Sequence, residues 1–112
     1  MGRDPEIPPP LEMVCLNALY FLGESNVEEV RRAIAVGKQL AYTTVLTLLD
    51  RLAKRGAVSR RKEGRGFRYL ATIDRHKLRE AALAQLVEIH FEGSLENLTV
   101  FLAPLKADSA SA

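Results

Sequence analysis

The sequence predicts one mainly α-helical domain of 112 residues with a small β-hairpin. Apolar residues recur at intervals of three and four along most of the chain, which is typical of amphipathic helices. Between residues 57 and 71 the period changes to two around a pair of glycines, which indicates two strands joined by a turn. Three helices followed by a basic hairpin is the order of a winged helix-turn-helix. We therefore predict a winged helix-turn-helix plus C-terminal dimerisation helices.

The chain divides into four segments. Residues 1–9 are polar and proline-rich, and we expect a disordered arm there. Residues 10–72 form the winged-helix domain, and residues 73–105 form the dimerisation helices. Residues 106–112, which end in ADSASA, are expected to be a disordered tail.

The first helix is predicted to begin at Pro10, where a missing N–H costs little, and to stop at Gly23. Cys15 is the only cysteine, so it forms no internal disulfide, and we interpret it as a small core residue. The inner face of this helix is predicted to contain Leu11, Val14, Cys15, Ala18, Leu19 and Leu22.

Two more helices follow. Ser25 and Glu28 have the spacing of a capping box at the start of the second helix, and Gly37 is its predicted end. The third helix is predicted to run from Ala41 to Arg55, with Gly56 as its stop. Its inner face is predicted to consist of Val45, Leu48, Leu49 and Leu52.

The hairpin is predicted from Ala57 onward. Val58 points inward on the first strand, and residues 63–66 (Glu-Gly-Arg-Gly) form the turn. Phe67, Tyr69 and Ala71 take the inner positions of the returning strand.

A fourth helix is predicted from the N-cap Asp74 toward Glu92, and a fifth segment begins after Gly93 and Ser94. The winged-helix core is complete by residue 72, so these helices have apolar surface without an internal partner. A symmetric homodimer would bury that surface. The predicted interface residues are Leu78, Leu83, Leu86, Val87, His90, Leu95, Leu98, Phe101 and Leu102.

Charge is concentrated in one part of the chain. The net charge is +2, but residues 51–68 contain eight basic side chains against Glu63 alone, which gives +7 for that segment. A local excess of one sign suits a polyanion, and nucleic acid is the commonest polyanion in a cytosol.

Few residues point to other functions. His76 and His90 lie fourteen positions apart on one predicted helix, about 21 Å, so they share neither a metal nor a proton. We find no phosphate-binding loop, nucleophile elbow or multi-thiolate site, and we expect no enzyme activity, metal or cofactor. No secretion signal or apolar span is present, so we expect a cytoplasmic protein without membrane contact.

Double-stranded DNA is the partner that the pattern favours. Short polar side chains at the start of the third helix suit the major groove, and basic side chains along the helix end and hairpin suit phosphates. Three alternatives stay open: the threonines fill a helix surface, Tyr42 packs against the second helix, and Arg51 pairs with acidic residues there. The candidate DNA-binding residues are Tyr42, Thr43, Thr44, Thr47, Arg51, Lys54, Arg60, Lys62, Arg65 and Arg68.

The stretch LAYTTVLTLLDRLAKRGAVSRRKEGRGFRYLATI, residues 40–73, resembles the penicillinase-repressor family of bacterial transcription factors, of the BlaI/MecI/CopY type. The similarity extends over roughly residues 9 to 102. It implies a homodimeric winged-helix repressor that binds a pseudo-palindromic operator. By this resemblance, the recognition-helix positions of the family fall on Tyr42, Thr43, Thr44 and Thr47, and the tip of the wing falls on Arg65.

The sequence departs from the family pattern in its C-terminal part. Members released by a sensor protease carry an Asn-Phe cleavage dipeptide in the fifth helix, where this chain has Phe101-Leu102. A sensor protease is thus a partner by family analogy only, and we do not expect release by cleavage at that position. The sixth helix and the cysteine cluster of the copper-responsive branch have no counterpart here. Two other functions remain open: a winged-helix protein-interaction module and a nonspecific DNA-binding protein.

Overall fold

The computed structural model describes residues 5–111, with side chains described as far as residue 107. Residues 1–4 of the expected arm and Ala112 of the expected tail lie outside this range. The helices are α1 (Pro10–Leu22), α2 (Val27–Ile34), α3 (Tyr42–Lys54), α4 (Arg75–His90) and α5 (Leu95–Ser111). The strands are β1 (Ser25–Asn26), β2 (Val58–Glu63) and β3 (Gly66–Ala71). The predicted mainly helical, winged helix-turn-helix arrangement is confirmed.

The core lies between α1, α2, α3 and the sheet. The whole predicted inner face of α3 is buried, and Cys15 is fully buried in the same cluster. Burial in apolar surroundings raises the pKa of the Cys15 thiol to about 11, so it remains a neutral core group. Tyr69 is also fully buried, and its hydroxyl donates a 2.7 Å hydrogen bond to Asp50 Oδ1, which joins β3 to α3.

The inner face of α1 differs from the prediction. Leu11 and Leu22 are exposed, whereas Glu12 and Leu16 are buried beside Cys15 and Leu19. Glu12 is only 3% exposed because Arg55, at the end of α3, donates to it from Nε at 2.6 Å. This ion pair turns a residue that the pattern assigns to the solvent side toward the core.

The capping box at α2 lies one residue later than predicted. Asn26 is the N-cap: its side chain accepts from the Glu29 amide at 2.8 Å, and Glu29 accepts from the Asn26 amide at 2.9 Å. Ser25 instead donates its hydroxyl to the Gly23 carbonyl. Both residues pair with β3, but the Ser25 hydroxyl is directed at the Gly23 carbonyl, whereas the Asn26 side chain accepts from the Glu29 amide.

The sheet has three strands in the order β1-β3-β2, not two. β1 pairs antiparallel with β3, placing Ser25 opposite Tyr69 and Asn26 opposite Arg68. The predicted hairpin forms with Glu63 opposite Gly66. Gly64, the first of the two turn residues, has φ 60°, a conformation that glycine adopts without strain.

Part of the N-terminal segment contacts the rest of the chain, and α5 reaches residue 111. Pro8 is buried and Ile7 packs against the core, while Glu6 forms an ion pair with Arg55. At the other end, α5 begins after Ser94, whose hydroxyl accepts from the Asn97 amide, and continues through Pro104 to Ser111. It therefore extends into the segment expected to be a tail.

Within residues 5–111, the helices are too short or too polar to cross a bilayer.

Candidate nucleic-acid interface

The outer face of α3 is formed by exposed polar side chains because the opposite face is buried. Val45, Leu48, Leu49 and Leu52 fix the rotation of the helix against the core. Thirteen residues give the helix a length of about 20 Å, enough to lie along a groove. The residues it presents to solvent include Tyr42, Thr43, Thr44, Thr47, Arg51 and Lys54.

The start of α3 is open. Ala41 at the N-cap has no side-chain acceptor, so the first N–H groups of the helix remain free for an anionic oxygen. Tyr42 is 49% exposed, which argues against its packing fully on the second helix. Thr47 donates its hydroxyl hydrogen to the Thr43 carbonyl at 3.0 Å. The Thr47 side chain therefore offers an acceptor oxygen and a methyl group, and no donor.

The wing places two cations at its end. Lys62 lies opposite Phe67 near the end of β2, and Arg65 is the second residue of the turn. Both side chains are exposed. Within residues 5–107, neither has a carboxylate within 4.0 Å. The same holds in this range for Arg51 and Lys54 on α3.

The other basic side chains of the wing are paired. Arg61 Nη2 lies 2.8 Å from Glu24 Oε1, and this hydrogen bond lowers the pKa of Glu24. Arg60 lies 4.2 Å above the Phe67 ring, with its Nη1 3.2 Å from Asp50 Oδ1. Both guanidinium groups are thus held by carboxylates of the winged-helix body.

Arg68 is the candidate whose position differs most from the prediction. Its side chain is only 21% exposed, and its Nη2 donates to the Glu24 carbonyl at 2.9 Å. Carboxylates of Glu24, Glu29 and Glu63 lie 3.4–3.6 Å from its guanidinium. Arg68 ties β3 to the segment before α2, so it presents little charge outward.

The basic excess of residues 51–68 is therefore smaller at the surface than in the sequence. Arg55, Arg60, Arg61 and Arg68 are in ion pairs, so only four of the eight cations in residues 51–68 have no carboxylate within 4.0 Å among residues 5–107. Two of these ion pairs join residues that are far apart in sequence: Glu24 is 37 residues from Arg61, and Glu12 is 43 from Arg55. No local spacing signals such pairs. The unpaired cations are Arg51, Lys54, Lys62 and Arg65.

The candidate dimer residues fall into two groups. Leu78 and Leu98 are buried inside the chain itself, Leu78 within the main core, so they have almost no surface left for a partner. Val87 is half-buried. Three apolar residues that the prediction leaves out, Ile89, Val100 and Leu105, are exposed. The remaining candidates are exposed: Leu83, Leu86, His90, Leu95, Phe101 and Leu102.

Known proteins resemble this chain in sequence. The family model described as penicillinase repressor matches residues 9–111. The transcriptional regulator BlaI of Mycobacterium tuberculosis is 32% identical over 105 residues, covering 91% of this chain and 76% of the relative. The penicillinase repressor of Bacillus licheniformis is 26% identical over 89 residues, covering 80% of this chain and 70% of the relative.

Solved structures of bacterial proteins also superpose on this chain. The monomeric form of BlaI from Bacillus licheniformis, solved in complex with the blaP half-operator, superposes with a TM-score of 0.54 at 30% identity, covering 69% of this chain and 93% of that one. A MarR family protein from Bacillus stearothermophilus, 23% identical with a TM-score of 0.52, covers 93% of this chain and 74% of its own, and shares the fold. The family comprises transcriptional repressors, not enzymes. This chain belongs to the penicillinase repressor family.

Proposed function

We propose that the protein is a sequence-specific transcriptional repressor that acts in the cytoplasm as a homodimer on a pseudo-palindromic operator. One observation supports this most directly. The unpaired cations of residues 51–68 lie on the outer face of α3 and at the end of the wing, while the other four are held by carboxylates. Positive charge is thus left exposed on the two elements that a winged helix applies to DNA.

The start of α3 supplies the base contacts. Thr43, Thr44 and Thr47 carry methyl groups suited to the thymine methyl, and hydroxyl oxygens that accept from base amino groups. Tyr42 reaches either a base edge or a phosphate. Each good base contact is worth about 1–3 kcal/mol of discrimination at one position.

The unpaired cations supply phosphate contacts. Arg51 and Lys54 follow the threonines along the same helix face, at spacings of three and four residues. Lys62 and Arg65 reach the backbone beside the groove, or the minor groove in the case of Arg65. We assign a structural role to Arg60 and Arg68, because they hold the wing against the domain through Asp50 and Glu24.

The homodimer is supported by the exposed apolar side chains of α4 and α5. Leu86 is 41% and Phe101 55% exposed, and a monomeric protein rarely leaves a cluster of such residues in water. One winged helix reads only a few base pairs, whereas two related by a two-fold axis read a doubled site. The structure of Bacillus licheniformis BlaI as a monomer on a half-operator fits a reader of one half-site per chain.

Selection of bound sequences from a random DNA pool, followed by competition gel shifts at ~150 mM salt, tests the proposal. We expect the selected sequences to share a palindromic consensus. Random DNA should compete for the protein at least about 10³-fold less well than this consensus does. Binding without sequence preference would indicate a nonspecific DNA-binding protein. No DNA affinity at all would favour a protein-interaction module.

The dimer is tested separately by sedimentation equilibrium on the double variant Leu86→Glu/Phe101→Glu. We expect the variant to sediment as a monomer and to keep its helix content by circular dichroism, because both side chains are exposed in the single chain. Its unfolding midpoint should fall only by the contribution of the lost interface. The matched control replaces two exposed polar residues of the same helices, Gln85→Glu/Asn97→Glu, and should remain dimeric. A wild-type protein that is monomeric at all accessible concentrations would contradict the homodimer.

A further inference from the structure

A pocket of about 150 Å³ lies between α1, α4 and residue 7 of the N-terminal segment. Its apolar wall is formed by Ile7, Met13, Leu78 and Ala82. Its polar lining residues lie on α1 and on the first turns of α4, and are Asn17, Tyr20, Arg75 and Arg79. Neither dimer contacts nor DNA contacts of the proposed function involve this pocket.

The charge in the pocket is positive. The Arg75 guanidinium carbon lies 5.1 Å from the centre of the Tyr20 ring. Arg79 is one helical turn further along and is close enough to Tyr20 to lower its pKa, although burial raises that pKa overall. In residues 5–107, neither arginine has a carboxylate within 4.0 Å, and both side chains are exposed enough to reorient. Two unpaired guanidinium groups beside an apolar wall suit a carboxylate.

Two polar groups beside the pocket, on Tyr20 and Asp74, already have hydrogen-bond partners. The Tyr20 hydroxyl donates to the Ile73 carbonyl at 2.7 Å. Asp74, the acidic group facing Tyr20, accepts from the Lys77 amide at 3.0 Å as the cap of α4. Among residues 5–107, neither arginine therefore forms an ion pair within the chain at this site.

The size of the pocket limits the ligand. A cavity of about 150 Å³ with an apolar lining holds a molecule the size of benzene. The ring of such a ligand would lie against Met13 and Leu78, and a carboxylate on the ring would face the arginines. We propose that this pocket binds a small aromatic monocarboxylate.

Ligand binding in the pocket would change the affinity for DNA through α4, a consequence that rests on the proposed function. Leu78 is the only residue of α4 within the main core among the described residues, so few contacts hold this helix to the winged domain. A ligand that bridges α1 and α4 would fix the angle between them. That angle sets the spacing of the two recognition helices in a homodimer.

Titration of the full chain with benzoate, followed by amide chemical shifts in solution NMR, tests the site without DNA. We expect saturable shifts on α1 and the first half of α4, with a Kd of roughly 1 mM. Benzyl alcohol, a neutral molecule of the same size, should bind at least about tenfold more weakly because it lacks the charge-assisted hydrogen bonds. No saturable binding of benzoate, or equal binding of benzyl alcohol, would overturn the proposal.

Three variants test whether the ligand binds in this pocket. Arg79→Gln should weaken benzoate binding about tenfold or more, whereas Lys77→Gln, which removes an equal charge from the same helix outside the pocket, should change it less than about twofold. Ala82→Leu should abolish binding by filling the cavity. Equal losses in the two charge variants, or full binding to Ala82→Leu, would show that benzoate binds elsewhere or only through general charge.

The effect on DNA is measured with gel shifts on a full operator and on a single half-site, with and without saturating benzoate. We expect a change in affinity for the full operator of at least about threefold, and none for the half-site. Equal affinities with and without benzoate would refute the coupling. A protein that binds no DNA would refute the proposed function and leave the NMR result standing.

Discussion

The salt dependence of operator binding follows from which cations are free. Arg51, Lys54, Lys62 and Arg65 are unpaired among residues 5–107, so a dimer would present eight cations to phosphates. Each neutralised phosphate contributes about −0.9 to the slope of log affinity against log salt, giving a slope of ~−7. Affinity should fall by ~10⁴ between 50 and 200 mM salt.

Removing the two wing cations tests this count. The double variant Lys62→Gln/Arg65→Gln takes four cations from the dimer, so its slope should be ~−4 and the fall over the same range ~10². The matched control is Arg61→Gln on the same wing, whose side chain lies 2.8 Å from Glu24. Since Arg61 is already neutralised within the chain, its loss should leave the slope near −7.

Fluorescence anisotropy with labelled operator at five or more salt concentrations gives these slopes. Thermal unfolding of each variant, followed by circular dichroism, checks that the chain as a whole remains folded. The reasoning would be refuted if Arg61→Gln changed the slope by as much as the double variant. It would equally be refuted if the double variant kept a slope near −7.

Four further predictions concern stability. Leu52→Ala should lower the free energy of unfolding, measured by urea titration, by about 2–5 kcal/mol because Leu52 is fully buried. The control Val36→Ala, at a 96% exposed position, should change it by less than about 0.5 kcal/mol. Asn26→Ala should cost about 0.5–2 kcal/mol in the same assay through loss of the α2 capping box, and an unchanged midpoint would contradict that cap. Tyr69→Phe should lower the free energy of unfolding by about 0.5–1.5 kcal/mol in the urea titration, because it removes the hydrogen bond to Asp50. Because burial raises the pKa of Tyr69 to about 12, the folded chain keeps a proton that the unfolded chain loses near pH 10; wild-type stability should therefore fall between pH 10 and 12 more steeply than that of Tyr69→Phe. A chain ending at Ala82 should unfold cooperatively as a monomer, while one ending at Ile73 lacks the buried Leu78 and should be less stable by at least about 2 kcal/mol; equal urea midpoints would show that Leu78 contributes nothing.

Most of the fold was predicted from short-range sequence patterns, in which each residue is judged together with its near neighbours along the chain. The inner face of α3, the stop at Gly56 and the turn at Gly64 depend on helical periodicity and glycine conformation, which neighbouring residues specify. The position of the Thr-rich surface follows directly, because the face opposite a buried stripe is exposed. The order of three helices and a basic hairpin was likewise readable from the sequence alone.

The pairing of distant residues was decided only in the folded chain. Glu12 is buried because Arg55, 43 residues away, lies beside it, and β1 forms only because Ser25 and Asn26 pair with β3. The same kind of contact places Arg68 among the carboxylates of Glu24, Glu29 and Glu63. Sequence determines how many charges the wing contains, but only the tertiary structure decides which of them are left for DNA. An ion pair requires two groups within about 4 Å, and the separation of two residues along the chain does not determine the distance between them in the fold.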